Sequence, residues 1–132
     1  MSAGKYSFNI EQGSTVDFEL SYKDSNGNPI DLSGYQARMQ LRPDIDSDTV
    51  YITLSSSLDP DGTGINMSGS SGLNAPTSGT LGVFISANSS SQFDFTNAVY
   101  DLEIATGSLY PEVTRLIEGK ISLIKTVTKG NY

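Results

Sequence analysis

The amino-acid sequence predicts an all-β sandwich, and three observations lead to that fold class. Segments with alternating apolar and polar residues recur at about 8–12-residue spacing, as in β-sandwiches. Clusters of glycine, asparagine, aspartate and proline, which favour turns, separate these segments. No long stretch shows the 3.6-residue period of an amphipathic helix. The 132 residues fit one domain, which we expect to span residues 1–132 and to bury a core without disulfides.

The first strand is predicted at residues 5–11. Tyr6, Phe8 and Ile10 fall on one face there, and polar residues alternate with them. Gly13 follows in a short connection and can adopt a positive φ.

The next two segments predict a β-hairpin. Residues 16–23 and 35–42 both alternate strictly between apolar and polar side chains. An Asn-Gly turn lies between them at residues 24–29, and such a turn between alternating strands is a strong hairpin signal. Ile30 and Leu32 are expected to pack beneath the sheet as the chain leaves the turn.

A fourth strand and a long loop are predicted next. Pro43 ends the third strand, and residues 49–55 form the fourth, with Tyr51 facing outward. Its inward residues are Val50, Ile52 and Leu54. Residues 56–79 are rich in glycine and serine, so we expect an irregular surface loop that buries little, with residues 64–68 as the candidate strand inside it.

The second half of the chain predicts two clear strands and one long, bent strand. Residues 80–87 and 97–106 alternate, and residues 88–93 between them predict one helical turn capped by Asn88 or Ser89. The last strand is predicted at residues 112–127. The inward positions are Leu81, Val83, Ile85, Ala98, Tyr100, Leu102, Ile104, Val113, Ile117, Ile121 and Leu123. A bend or bulge is expected at Gly119, and residues 128–132 are expected to fray.

Tyr100 refines the fold class. It lies near the start of the penultimate strand and two residues before the inward Leu102, as in the tyrosine corner of immunoglobulin domains. We therefore predict an immunoglobulin-like sandwich of about seven or eight antiparallel strands.

Composition and charge disfavour several function classes. The chain has neither cysteine nor histidine, so thiolate metal sites, the commonest general base and the usual pH switch are unavailable. The net charge of −7 disfavours nucleic acid and anionic membranes as partners. No apolar run approaches a membrane span, and the N-terminus lacks the pattern of a signal peptide, so we expect a protein made and kept in a cytosol.

Acidic segments offer the only candidate metal sites. Residues 44–48 begin like an EF-hand loop, but the glycine and glutamate required later in that motif are absent. A solvated connector is the favoured interpretation, and an adventitious Ca²⁺ site is the alternative. Residues 24–28 and 59–64 are interpreted as turns. Asp101 and Glu103 are interpreted as a wet sheet face, so we predict no enzyme, no metal and no cofactor.

Several aromatic residues cannot all face the main core. These are Tyr51, Phe84, Phe93, Phe95 and Tyr110. They form a protein-binding patch, or some of them cover the second face of a sheet beneath the 56–79 loop. With the apolar residues of that loop, the candidate partner-binding set is Ile65, Met67, Leu73, Phe93, Phe95 and Tyr110.

Two stretches resemble a known family. Ile10-Glu-Gln-Gly-Ser-Thr15 and Lys23-Asp-Ser-Asn-Gly-Asn-Pro-Ile-Asp-Leu-Ser-Gly-Tyr-Gln-Ala-Arg-Met-Gln-Leu-Arg42 resemble the immunoglobulin-like N-terminal domain of siphophage baseplate upper proteins and related small stand-alone phage structural proteins. Tyr100-Asp-Leu-Glu-Ile104 and Arg115-Leu-Ile-Glu-Gly-Lys-Ile121 are similar to the family's closing strands. The resemblance covers most of the chain outside residues 43–80.

The resemblance implies a non-enzymatic virion component of a tailed bacteriophage. It implies assembly through contacts with other phage virion proteins in the tail or baseplate, in multiple copies, after synthesis in the host cytoplasm. The sequence ends after the sandwich, with no receptor-binding module, which favours an adaptor or accessory role. A capsid or neck accessory protein is the first alternative. A carbohydrate-binding host-attachment module is the second, and the absence of tryptophan ranks it lower.

Overall fold

The computed structural model describes residues 4–69, 72–107 and 109–129, and these residues form two β-sheets. The strands are β1 (Gly4–Lys5), β2 (Phe8–Glu11), β3 (Val16–Ser21), β4 (Tyr35–Arg42), β5 (Ile52–Ser55), β6 (Gly64–Asn66), β7 (Thr80–Ile85), β8 (Asn97–Thr106) and β9 (Val113–Ile124). A 3₁₀ helix spans Pro76–Ser78, and the short helix α1 spans Ala87–Ser91. No helix in the described part is long and apolar enough to cross a membrane.

The large sheet has mixed strand directions. Its order is β1-β9-β8-β4-β5, and β2 also pairs with β9. The pairs from β9 to β5 are antiparallel, whereas β1 and β2 both run parallel to β9. The prediction of antiparallel strands throughout is therefore wrong at the first strand, which is also divided at Tyr6 and Ser7.

The small sheet has the order β3-β7-β6 and is antiparallel. The predicted hairpin between β3 and β4 is wrong, because β3 pairs with β7 while β4 pairs with β8 and β5 in the other sheet. The turn itself forms, since Asp24 Oδ1 accepts hydrogen bonds from the N–H groups of Asn26 and Asn28, each at 2.9 Å. The remaining loop carries the chain across, and buried Leu32 and partly buried Ile30 pack against the core as it crosses.

One apolar cluster fills the space between the sheets. The predicted inward residues of β4, β7 and β8 are buried or, at Tyr35, partly buried against the core. The alternation reports these faces correctly because successive side chains of a strand point to opposite sides. The prediction that Val50 and Val113 point inward is wrong, because they lie near the ends of their segments and are 37% and 53% exposed. Tyr51 is also wrong as an outward residue, because it packs against the core.

The prediction that residues 56–79 bury little is wrong. Strand β6 forms within this segment at the predicted place and pairs with β7, and Ile65 is fully buried. A Cβ at Gly64 would lie 2.7 Å from the Ser55 carbonyl oxygen, so the chain there is pressed against the end of β5. The segment therefore supplies the third strand of the small sheet. Ser70 and Ser71 lie outside the described residues.

The irregularity of β9 occurs at Leu116 and not at Gly119. The register with β8 shifts between Leu102, opposite Ile117, and Glu103, opposite Arg115, which leaves Leu116 as the extra residue of a bulge. Gly119 has a different reason to be glycine, since a Cβ there would clash with the Tyr6 carbonyl oxygen.

Tyr100 does not form a tyrosine corner. Its hydroxyl donates a 2.5 Å hydrogen bond to the carbonyl oxygen of Tyr6, which lies 94 residues earlier in the chain and not a few residues upstream. Tyr100 therefore ties the first strand to the penultimate one. Of the predicted frayed tail, Thr128 and Lys129 are described without regular structure, and residues 130–132 lie outside the described part.

Candidate interaction surface

Three connections meet at one end of the molecule, which we call the loop end. They are residues 22–34 between β3 and β4, residues 67–79 between β6 and β7, and residues 107–112 between β8 and β9. The N–H of Leu32 donates to the Pro76 carbonyl at 2.9 Å, and the N–H of Gly107 donates to the Gly34 carbonyl at 3.2 Å. These backbone hydrogen bonds hold the bases of the three loops together.

The loop end exposes three large apolar side chains. Leu73 is 88% exposed, and Leu109 and Tyr110 are each 86% exposed. Loops positioned by a rigid scaffold are where binding residues concentrate, so exposed apolar residues on such loops are candidates for contact with a partner. This end is therefore the candidate interaction surface.

The structure divides the predicted partner-binding set. Leu73 and Tyr110 belong to the loop end. Ile65, Phe93 and Phe95 are buried in the core, and Met67 is partly buried against it. These four residues pack in or against the core and do not form an exposed patch for a partner.

The aromatic residues have internal partners. Tyr51 stacks on Phe95, with ring centroids 4.4 Å apart and an interplanar angle of 12°, and Phe93 lies 5.2 Å from Phe95. Gly62 lies against the Phe84 ring, so a Cβ there would sit 3.4 Å from Phe84 Cε1. This contact agrees with the alternative in which the 56–79 segment covers the second face of a sheet at Phe84.

Leu109 completes the exposed apolar set, and the sequence analysis missed it. A single leucine in a Gly-Ser-Leu-Tyr-Pro turn has no periodicity to mark it. The one usable signal is a large apolar residue in a turn segment that ends at Pro111.

A second surface feature is an open groove of about 520 Å³ on the outer face of the large sheet. Its lining includes Lys5, Arg42, Asp44, Ile45, Asp101 and Lys120. Two ion pairs involve charged residues of its lining: Lys5 Nζ lies 2.8 Å from Glu118 Oε1, and Asp101 Oδ2 lies 3.3 Å from Nε of Arg115, outside the lining. The Lys5 hydrogen bond lowers the pKa of Glu118. The groove thus has mixed charge and no strong preference for one sign of ligand.

The same sheet carries Asp101 and Glu103, whose side chains are 42% and 20% exposed. Asp101 pairs with Arg115, and Glu103 pairs with Arg38, in both cases across neighbouring strands. Such exposed pairs contribute little to stability, about 0–1 kcal/mol each.

Asp61 has a structural role that exceeds its predicted place in a turn. Its Oδ1 accepts from the N–H of Thr63 at 3.0 Å, and its Oδ2 accepts from the hydroxyls of Ser86 at 2.6 Å and Ser89 at 3.3 Å. Ser86 is also the N-cap of α1, two residues before the predicted Asn88 and three before Ser89, because its Oγ accepts from the Ser89 N–H. The Ser86 hydrogen bond is the main reason that the pKa of Asp61 falls to about 2. Asp61 therefore fastens the 56–69 segment to α1.

The acidic connector at residues 44–48 forms turns of its own. Asp44 Oδ1 accepts from the Asp46 N–H at 2.9 Å, and Ser47 Oγ accepts from the Thr49 N–H at 3.0 Å. Within residues 4–69, 72–107 and 109–129, no group of three or more acidic residues is arranged to hold a metal ion.

Comparison with known proteins gives no assignment. No protein-family model matches the chain, and a search of curated proteins finds no match.

Proposed function

We propose that this chain is a non-enzymatic structural component of a tailed-bacteriophage virion. In this proposal it is an adaptor or accessory protein of the tail or baseplate, it is present in multiple copies, and it assembles through protein contacts. The supporting observations are the family resemblance of residues 10–15, 23–42, 100–104 and 115–121, the strand order, and the exposed apolar side chains of the loop end.

The strand order supports an immunoglobulin-like topology. In such domains the first, second, fifth and fourth strands form one sheet, and the third, sixth and seventh strands form the other. Here β3, β7 and β6 form the small sheet, and β4, β8 and β9 are consecutive in the large sheet. The chain changes sheet between β3 and β4, between β5 and β6, and between β7 and β8, as this topology requires, and it also changes sheet between β2 and β3 because the first strand pairs with β9.

The loop end carries the proposal of a docking role. Leu73, Leu109 and Tyr110 together present apolar surface on loops whose bases are hydrogen-bonded to one another. Aromatic and apolar residues on a preformed scaffold bind at a low cost in conformational entropy. In an assembled particle, contact with a neighbouring protein would remove this surface from water.

Particle incorporation tests the proposal. A phage that encodes the double variant Leu109→Ser and Tyr110→Ser is compared with one that encodes Val127→Ser. Val127 is 96% exposed and lies beyond β9, so its substitution controls for the loss of an exposed apolar side chain. We expect the double variant to fold but to be depleted from purified particles at least tenfold, as measured by quantitative mass spectrometry, while the control remains.

Two outcomes contradict the proposal. Absence of the wild-type protein from purified particles would refute the virion role. Normal incorporation of the double variant would refute the loop end as the interface. Cryo-electron microscopy of the particle then separates a tail or baseplate position from the capsid or neck alternative.

A further inference from the structure

Strand β3 is the longest edge strand of the described structure. It spans six residues, whereas β1, β2, β5 and β6 span two, four, four and three. Among the described residues only β7 pairs with it, so its other side is open. An open edge presents backbone donors and acceptors to a further strand.

The register with β7 shows which backbone groups face the open side. The Tyr22 N–H donates to the Gly79 carbonyl at 2.7 Å, which continues the pairing of Ser21 with Thr80. In an antiparallel ladder, hydrogen-bonded pairs alternate along the strand. The backbone N–H and C=O groups of Phe18 and Leu20 therefore form hydrogen bonds with β7. Those of Asp17 and Ser21 point toward the open edge.

Strand β3 lacks most of the features by which natural edges avoid pairing. It contains no proline and no lysine, and its register with β7 is continuous, without a bulge. Its inward residues Val16, Phe18 and Leu20 are only partly buried. Tyr6 and Phe8 lie against the Phe18 ring, with centroids at 5.9 and 5.2 Å, so apolar surface continues along this side of the sandwich.

The charges of β3 determine the kind of strand that fits. Its exposed residues include Asp17 and Glu19. If a second copy paired with β3 in antiparallel fashion, the two registers of longest overlap would place Asp17 opposite Glu19, or Glu19 opposite itself. Like charges directly opposite each other destabilise a pair of strands, so a second copy is disfavoured.

An acidic depression adjoins the start of β3 on the outer face of the small sheet. It measures about 220 Å³, and both Asp17 and Asp61 line it without any lysine or arginine. A basic side chain opposite Asp17 would project on this same outer face, because directly paired residues share a face of the sheet. The charge of the open edge is thus complementary to a basic strand.

We propose that β3 is a docking edge for an extended segment of another protein, in which Lys or Arg alternates with apolar residues. The segment adds a fourth strand to the small sheet beside Asp17 and Ser21. Its basic side chains project on the outer face, one of them beside Asp17, and its apolar side chains cover Val16, Phe18 and Leu20. Main-chain hydrogen bonds supply affinity in this mode, and the alternating side chains supply specificity. The proposal does not depend on the virion role.

A peptide titration tests the proposal. The probe is an acetylated nine-residue peptide in which lysine alternates with valine and isoleucine. One control peptide has glutamate in place of lysine, and a second carries N-methyl groups at alternate residues, which prevent a backbone ladder. Amide shifts and hydrogen exchange are followed by NMR at low salt, where surface charge effects are largest.

The protein variants are Asp17→Lys and Asp48→Lys. Asp48 is also exposed but lies outside both sheets, so the two variants change the net charge equally. We expect the lysine peptide to slow hydrogen exchange at the amides of Asp17 and Ser21. Neither control peptide should slow exchange at these amides. Asp17→Lys should weaken binding three- to tenfold relative to Asp48→Lys. Retained protection of the β7 amides verifies that the variant is folded.

Three results would overturn the proposal. The first is that the lysine peptide leaves the Asp17 and Ser21 amides unprotected, or that it changes the amide chemical shifts of residues lining the groove of the large sheet instead. The second is equal binding by Asp17→Lys and Asp48→Lys. The third is concentration-dependent protection of β3 without peptide, which would identify a second copy as the occupant.

Discussion

Tyr100→Phe should destabilise the protein, because it removes one hydrogen bond that joins two distant parts of the chain. The Tyr100 ring is buried, and its hydroxyl donates to the Tyr6 carbonyl at 2.5 Å. Phenylalanine preserves the edge-to-face contact with Phe8, whose ring centroid is 5.4 Å away. The variant thus isolates the hydroxyl and leaves the Tyr6 carbonyl without this donor.

The expected loss is about 1–2 kcal/mol of unfolding free energy, from a net hydrogen bond of about 0.5–1.5 kcal/mol and a partly buried carbonyl left unsatisfied. For a chain of this size, that corresponds to a fall of about 3–8 °C in Tm. Urea denaturation followed by circular dichroism, with calorimetry, measures both quantities. Tyr51→Phe is the matched control, because the Tyr51 hydroxyl has no hydrogen-bond partner within the described part of the chain while its ring stacks on Phe95.

The alkaline range gives the same prediction a second test. Burial, with a smaller contribution from Tyr6, raises the pKa of Tyr100 from 10.0 to about 12. Because the folded pKa exceeds the unfolded one, the stabilisation is complete below pH 10 and disappears as the pH rises toward 12. The stability difference between wild type and Tyr100→Phe should therefore shrink over this range. An unchanged urea midpoint at pH 7 would refute the reasoning.

Two further predictions concern the 56–79 segment. Ile65→Ala should lower the free energy of unfolding by about 2–5 kcal/mol, because it leaves a cavity at a fully buried side chain. Leu73→Ala in the same segment should change it by less than about 0.5 kcal/mol. Equal urea midpoints for the two variants would show that β6 is not part of the core. Asp61→Asn should lower Tm at pH 7, and since the folded pKa of about 2 lies below the ordinary 3.8, the difference from wild type should vanish as the pH falls from 4 to 2. A difference that persists at pH 2 would mean that the Asp61 charge does not fasten the segment.

The sequence predicted strand faces better than strand partners. The inward residues of β4 and β8 were predictable because each strand has one buried and one wet face, which imposes a period of two. The partner strand of β3 was not predictable, because the sequence of an Asn-Gly turn is the same in a hairpin and in a loop that crosses between sheets. Only the burial of Leu32 and the pairing of β3 with β7 distinguish the two.

The candidate site was less predictable than the fold. Exposure of Leu73 and Tyr110 and burial of Phe93 and Phe95 depend on which loops cover which face, and composition does not encode this. Loop 107–112 joins the interaction surface only because Gly107 bonds to Gly34, from a distant segment. The extra residue of β9 was predicted at Gly119, the obvious irregular position, yet the shift occurs at Leu116.

The parallel pairing of the first strand with the last has a consequence for synthesis. Residues 4–11 are synthesised before the rest of this domain, and their partners extend from Ile117 to Ile124, more than 100 residues later. The nascent chain must therefore carry Tyr6 and Phe8 without their final pairing until almost the whole sequence has been translated. Closing so long a loop is slow compared with local pairing, so we expect residues 4–11 to dock late in folding. During that interval this aromatic segment is the part of the chain that most depends on a chaperone for protection.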